Sequence, residues 1–133
     1  MRQAMIDAAN VVVTVNDWEH SVGIPCDFSV TVGMLWTGTT FIRHPDDVVR
    51  ELQDGVQQHM DATVQTRHYY NILSCCSYAT STVPKFAAEG QAAVAWRDAV
   101  WAACYVLLDE FLAGNRPAPT LDELIAELPT INW

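Results

Sequence analysis

Positive charge is scarce in this chain: 7 Lys and Arg stand against 16 Asp and Glu, for a formal charge of −9 at pH 7. A general phosphate-backbone binder needs clustered Lys and Arg to displace counterions, so nucleic acid is excluded as a partner class. The same shortage argues against an anionic membrane surface. No apolar run of about 18 residues occurs, which excludes a transmembrane helix. The opening residues, MRQAMID, lack the apolar stretch of a signal peptide. The expectation is a protein made and kept in a cytoplasm. Catalytic signatures are missing too: there is no GxSxG, P-loop, GxGxxG or HExxH.

Cysteine is present but unpatterned. Cys26, Cys75, Cys76 and Cys104 form no CxxC pair, and adjacent Cys75 and Cys76 are poorly placed to bridge each other. All four read as reduced, small, mostly buried residues. None of His20, His44, His59 and His68 has metal-ligand spacing with another donor. His59 and His68, nine residues apart, fall on opposite sides of a continuous helix, so no metal is expected. His68 precedes Cys75 by two helical turns, too far for a nucleophile and its base. The acid pairs at 46–47, 109–110 and 122–123 sit at helix ends, where solvation or capping explains them better than acid–base catalysis.

What is there is apolar material. Half of the 133 residues are hydrophobic, enough for one domain, or two small lobes, to bury roughly two-thirds of its surface on folding. The pattern changes near His44 and Pro45. Before that point, residues 11–15 (VVVTV) read as a strand ending at Asn16 and Asp17. Residues 28–32 (FSVTV) alternate as a second. Residues 34–36 and 39–42 flank Thr37 and Gly38 as a hairpin. The fold class expected is α+β, with a small antiparallel β unit over residues 1–44. Such a meander is marginal alone and needs packing or a partner.

Residues 45–133 read as a helical hairpin domain. Pro45 followed by Asp46 and Asp47 suits a helix start. Apolar or small residues at 49, 52, 56, 60, 63, 67, 70, 74 and 77 then make one stripe of a long helix, apart from a mid-stripe Arg67. Pro84 closes a polar turn. A second helix runs from about 85 to 112 and stops at Gly114, Asn115 and Pro117. Thr120 and Glu123 form a capping box that starts a short third helix, ended by Pro129. Two long helices joined by a short turn lie antiparallel, each roughly 40–50 Å long. Such a hairpin projects beyond the β unit or lies across a partner.

The informative residues on the second helix are WRDAVW, 96–101. Trp96 and Trp101 splay across the helix face and call for something large to pack on. Arg97 is expected to reach across the hairpin toward Tyr70 or the polar run near Thr66 and Arg67. Arg67, if buried, needs a carboxylate or backbone carbonyls, and equal distances from the turn make Asp98 the nearest candidate. Arg67, Tyr70, Trp96, Arg97, Asp98 and Trp101 are thus read as a structural clasp that fixes helix register, rather than as a catalytic site.

Residues 61–74 (DATVQTRHYYNILS), 77–79 (SYA), 86–90 (FAAEG), 96–101 (WRDAVW) and 119–129 (PTLDELIAELP) resemble, in order and spacing, the helical domain of small tailed-bacteriophage proteins that accompany tail fibres. This is the tail-fibre assembly-like family. The N-terminal third resembles the family's β unit more loosely, through Ile6 and Asp7, residues 10–13, Asp17 and Trp18, and residues 33–36 with 39–41. The sequence departs from the pattern at His68, where a small residue or glycine is expected before the tyrosine, and around residues 21–26, where the loop is short.

The resemblance implies a non-enzymatic accessory of a phage tail. It would help a tail fibre trimerise and fold in the host cytoplasm, or remain in the virion as a small tail component. The implied partner is a tail fibre or other tail protein, with homo-oligomerisation a further option and no cofactor. Trp18, Trp36, Phe41 and Trp133 are the apolar anchors suited to a partner surface. A mini-core between sheet and helices is the plainer explanation of Trp18 and Trp36. Two other classes stand beside this one. One is a carbohydrate-binding receptor-recognition module stacking Trp18 and Trp36 on sugar rings. The other is a small hydrolase using Cys75 or Cys76.

Overall fold

A computed structural model of the chain describes residues 2–17, 23–26 and 29–133. It is α+β: small antiparallel sheets at the N-terminus, then helices. The chain divides into two compact units, residues 1–48 and 49–133.

In the first unit the central strand is one that periodicity did not reveal. Strand β1 (Arg2–Ile6) lies between β2 (Val12–Asp17) and β3 (Ile24–Pro25), antiparallel to both. Residues Arg2 to Met5 pair with Asp17 to Thr14 in register, and a bulge at Ile6 shifts the partner to Val12. Asp7 shapes the connecting turn, its Oδ1 accepting from the backbone N–H of Ala9 and Val11. The expected strand over 28–32 does not form. Phe28 lies outside the described residues, and Thr31 to Met34 close a turn with Gly33 at φ 92°. The expected hairpin does form: β4 (Leu35–Trp36) pairs with β5 (Phe41–Ile42). Its turn spans four residues, with Gly38 at φ 94° and the Thr37 hydroxyl donating to the Thr40 carbonyl. The unit's core is slight: Ala4, Val12 and Val30 are buried, with Ile6, Met34 and Phe41 packed around them.

The second unit is helical. Helix α1 (Pro45–Gln65) begins at the expected proline, Asp46 and Asp47 in its first turn. It buries Gly55, Val56, Met60 and Val64, one stripe at a spacing of three to four. It does not run on to residue 77. Thr63 and Thr66 turn their hydroxyls onto the backbone carbonyls of His59 and Thr63, a local bond that competes with continued helix. The chain then leaves through a Schellman motif: Tyr69 N–H donates to Val64 O, His68 N–H to Gln65 O. His68 occupies the left-handed position at φ 70°. A short α2 (Ile72–Ser77) follows, capped from both sides. Asn71 Oδ1 accepts from Ser74 N–H, and Asp61 of α1 accepts from Ile72 N–H. A single 3-10 turn (Tyr78–Thr80) leads to α3 (Pro84–Leu112).

Helix α3 ends on a second Schellman motif, Asn115 N–H to Glu110 O and Gly114 N–H to Phe111 O. Here glycine takes the left-handed position at φ 77°. Helix α4 (Leu121–Glu127) carries the expected capping box, Thr120 and Glu123 bonding reciprocally. Arg67 meets Glu89, and His59 meets Trp96 edge-on. Leu52, Gln53 and Val56 share one opening with Trp101, Cys104, Tyr105, Leu107 and Leu108. The partners run in opposite directions, so α1 and α3 are antiparallel. At 21 and 29 residues they span about 32 and about 44 Å, so α1 falls short of the length expected. Val56, Met60, Val64, Ile72, Cys75, Cys76, Ala93, Trp96, Val100, Leu124 and Leu128 form one core.

Candidate functional site

Where the second half of α3 faces the first half of α1, the core opens into an apolar groove of about 80 Å³. Leu52 and Val56 of α1 line one wall, and Trp101, Tyr105, Leu108 and Phe111 of α3 the other. Pro119 and Leu124 close the end. The groove exists because α3 is apolar around much of its circumference there. Ten consecutive residues, 99–108, carry no formal charge, although only one side of the helix can face α1. Much of this surface is exposed: Tyr105, though it lines the groove, is 64% accessible, and Val106 and Leu112 are also open to solvent. Leu121 rests on the backbone of Gly55, so α4 is seated directly against α1.

At the opposite end of the hairpin the residues expected to clasp are present, in other pairings. Arg67 does not reach Asp98; its Nη1 donates to Glu89 Oε2 at 3.3 Å. Glu89, with 7% exposure, is the only buried charged residue among those described. The Arg67 guanidinium also lies 4.6 Å from the centre of the Trp133 ring, a cation–π contact. Arg97 does not cross toward Tyr70. It holds its neighbour Asp98 through Nε and Nη2 at 2.9 and 2.8 Å, and it lies beside Cys76. Tyr70 points out, 83% exposed, its backbone carbonyl accepting from Gln65 Nε2. The physical reason is the early end of α1. The 67–89 contact centres the fold-back on residue 78, whereas a 67–98 pairing assumes a midpoint between residues 82 and 83.

The two clasp tryptophans separate in role. Trp96 is buried, and its Nε1 donates to the Pro129 carbonyl at 2.7 Å. This fastens the segment after α4 over the core, and Ile131 packs there as well. Trp101 is half-buried and turns one side to the groove. Among the expected partner anchors, Trp36 and Phe41 stack on each other at 4.6 Å and 46° across the β4–β5 hairpin. Trp133 is partly exposed beneath Arg67, and Trp18 lies outside the described residues. Sequence periodicity missed the groove itself. The available signal was the charge-free run in α3, too apolar for a helix with one buried side.

The three thiols of the helical unit, Cys75, Cys76 and Cys104, are pushed toward the protonated, less reactive form. Cys75 is fully buried, and its pKa is pushed up to about 11, first by burial and then by the neighbouring Cys76 and Glu89 charges. Burial also raises Cys76, against the opposing pull of Arg97, and raises Cys104. A thiolate nucleophile needs the reverse environment. The described residues contain no cluster of His, Cys, Asp or Glu able to hold a metal ion. No helix among them is long and apolar enough to cross a membrane. Comparison with known protein families, with curated proteins and with solved structures returns no match to this chain.

Proposed function

We propose that the protein acts through protein–protein contacts, as a non-enzymatic accessory of a bacteriophage tail or tail fibre. The observation that carries the binding role is the groove between α1 and α3, with Tyr105 of its wall exposed and the apolar surface of α3 continuing beyond it at Val106 and Leu112. Large apolar surface left open beside a preformed depression suits a partner's side chains. The phage setting rests on the sequence resemblance, whose segments span the elements that build the helical unit: the break after α1, the α2 region, the middle of α3, and α4. The high thiol pKa values weigh against a cysteine hydrolase. Trp36 is already engaged within the hairpin by a tilted contact with Phe41, which weighs against its serving as a free platform for a sugar.

The partner is a tail-fibre or other tail protein met in the host cytoplasm during assembly. Co-expression of the tagged chain with the tail-fibre protein of the same phage tests this. Co-purification is expected, and it should fall when the exposed Tyr105 is changed to Ser. Failure to co-purify any tail protein overturns the reading. Mass spectrometry of purified virions separates an assembly factor, absent from the particle, from a retained component.

A further inference from the structure

Where α1 gives way to α2, an open cleft of about 580 Å³ is lined by Asp61, Gln65, His68, Tyr69, Tyr70 and Asn71. Three of these side chains tie one polar end to the protein and keep the other. Asp61 Oδ1 accepts from the Ile72 N–H and from Gln57 Nε2, which leaves Oδ2. Gln65 Nε2 donates to the Tyr70 carbonyl, which leaves Oε1. Asn71 Oδ1 accepts from the Ser74 N–H, which leaves the Nδ2 amide group. These bonds fix the side chains before any ligand arrives, so little ordering remains to oppose binding. Tyr69 packs on Tyr78 with ring centres 5.4 Å apart and makes a fixed wall. The Tyr70 ring is open to solvent and contacts no other ring among the described residues.

The lining narrows the ligand class. No aliphatic side chain is among the six, so a partner's leucine or valine finds no apolar pocket there. No Lys or Arg lines the cleft, the Asp61 carboxylate offsets the one imidazole, and nearby Arg67 is turned to Glu89 and Trp133. A phosphate or carboxylate therefore lacks the cations it needs. A single carboxylate does not hold a metal ion. The ligand that fits is neutral, rich in hydroxyls, and flat on one carbon face. A hydroxyl both donates and accepts, which suits the open acceptors of Asp61 and Gln65 and the open donor of Asn71. The C–H face of a pyranose lies against an aromatic ring. We infer that this cleft binds a neutral pyranose sugar, which stacks on Tyr70 and hydrogen-bonds through its hydroxyls to Asp61, Gln65 and Asn71. The site lies apart from the groove and from Trp36, and the inference does not rest on the protein-contact role.

The test is an NMR titration of the isotope-labelled full chain with the methyl glycosides of glucose, galactose, mannose and N-acetylglucosamine, each to about 50 mM. Sorbitol, which has the hydroxyls without the ring face, is the control. At least one glycoside is expected to saturate with a millimolar Kd and to shift the amide signals of residues 61–71. Sorbitol should bind at least about tenfold more weakly. Tyr70 is exposed, and the bond it makes to Gln65 uses its backbone carbonyl. Tyr70→Ala should therefore leave thermal unfolding unchanged while lowering glycoside affinity by at least about tenfold. Asp61→Asn keeps an oxygen for the Ile72 N–H and puts an amide nitrogen where the open carboxylate oxygen stood. It should weaken binding by about fivefold. No saturation by any of the glycosides, shifts centred outside residues 61–71, sorbitol binding as well as the sugars, or indifference to Tyr70→Ala would overturn the inference. Loss of tail-protein capture in Tyr70→Ala, with no glycoside bound, would make the cleft a protein contact and overturn it as well. Glycoside binding without tail-protein capture would leave this inference standing and remove the tail assignment.

Discussion

Removing the Arg67 side chain strands the Glu89 carboxylate where little water reaches it. A carboxylate left buried without its cation costs several kcal/mol in a dry site. Arg67 is itself partly exposed, so solvent will offset some of that. Arg67→Ala is expected to cost about 2 kcal/mol in urea unfolding. Neutralising Glu89 as well should recover part of the loss. The double variant Arg67→Ala with Glu89→Gln is expected to be more stable than additivity predicts by about 1 kcal/mol. Strict additivity would mean that the pair is not coupled. That Arg67 needed a carboxylate or backbone carbonyls if buried was legible in the sequence, since it interrupts an apolar stripe. Which acid it meets was not, because the partner depends on where the fold-back is centred. Hydroxyl-to-backbone bonds at Thr63 and Thr66 and a left-handed His68 decide that, and apolar periodicity does not register them.

At the scale of elements, two glycines face close neighbours of different kinds. A methyl group on Gly90 would run into the backbone of Tyr78 and Ala79, where the 3-10 turn crosses α3. Backbone cannot swing aside, so Gly90→Ala should cost about 3 kcal/mol, at the top of the usual overpacking range. On Gly55 the same methyl would meet only the end of the Leu121 side chain. The helix-propensity gain of about 1 kcal/mol offsets that crowding, so Gly55→Ala should stay within about 1 kcal/mol of the parent. Thermal unfolding of the two variants provides the comparison. The two Schellman ends of α1 and α3 differ in one respect: Gly114 fills the left-handed position in one, His68 in the other. His68→Gly should raise the denaturation midpoint by an amount equivalent to about 1 kcal/mol. Helix starts at Pro45 and Thr120 and the stop at Gly114 were all readable, because proline, a capping box and glycine act through the local chain. The central strand β1 was not readable. Its five residues, RQAMI, carry no clean alternation, and pairing on both sides makes it a strand.

Across the whole molecule the two units are unequal. Among the described residues, the helical unit shares a core of eleven buried residues and the β unit has three. Local opening follows the depth of burial. Amide hydrogen exchange should therefore be slowest in α1 and α3 around Met60 and Val100, and faster throughout β1 and β2. Comparable protection in both units would show that the β unit draws support from beyond its own core. The division near residue 45 was visible as a switch in sequence period.

The bond from Trp96 to Pro129 spans 33 residues. On a ribosome, the indole emerges well before its acceptor, and all of α4 must follow before the two can meet. A nascent chain that already contains both long helices still lacks the cover for its central tryptophan. It must remain soluble with that ring open, or be shielded by whatever meets it first. Completion of this half thus belongs to the moments after Pro129 is free of the exit tunnel, rather than to stepwise addition of helices as they are made.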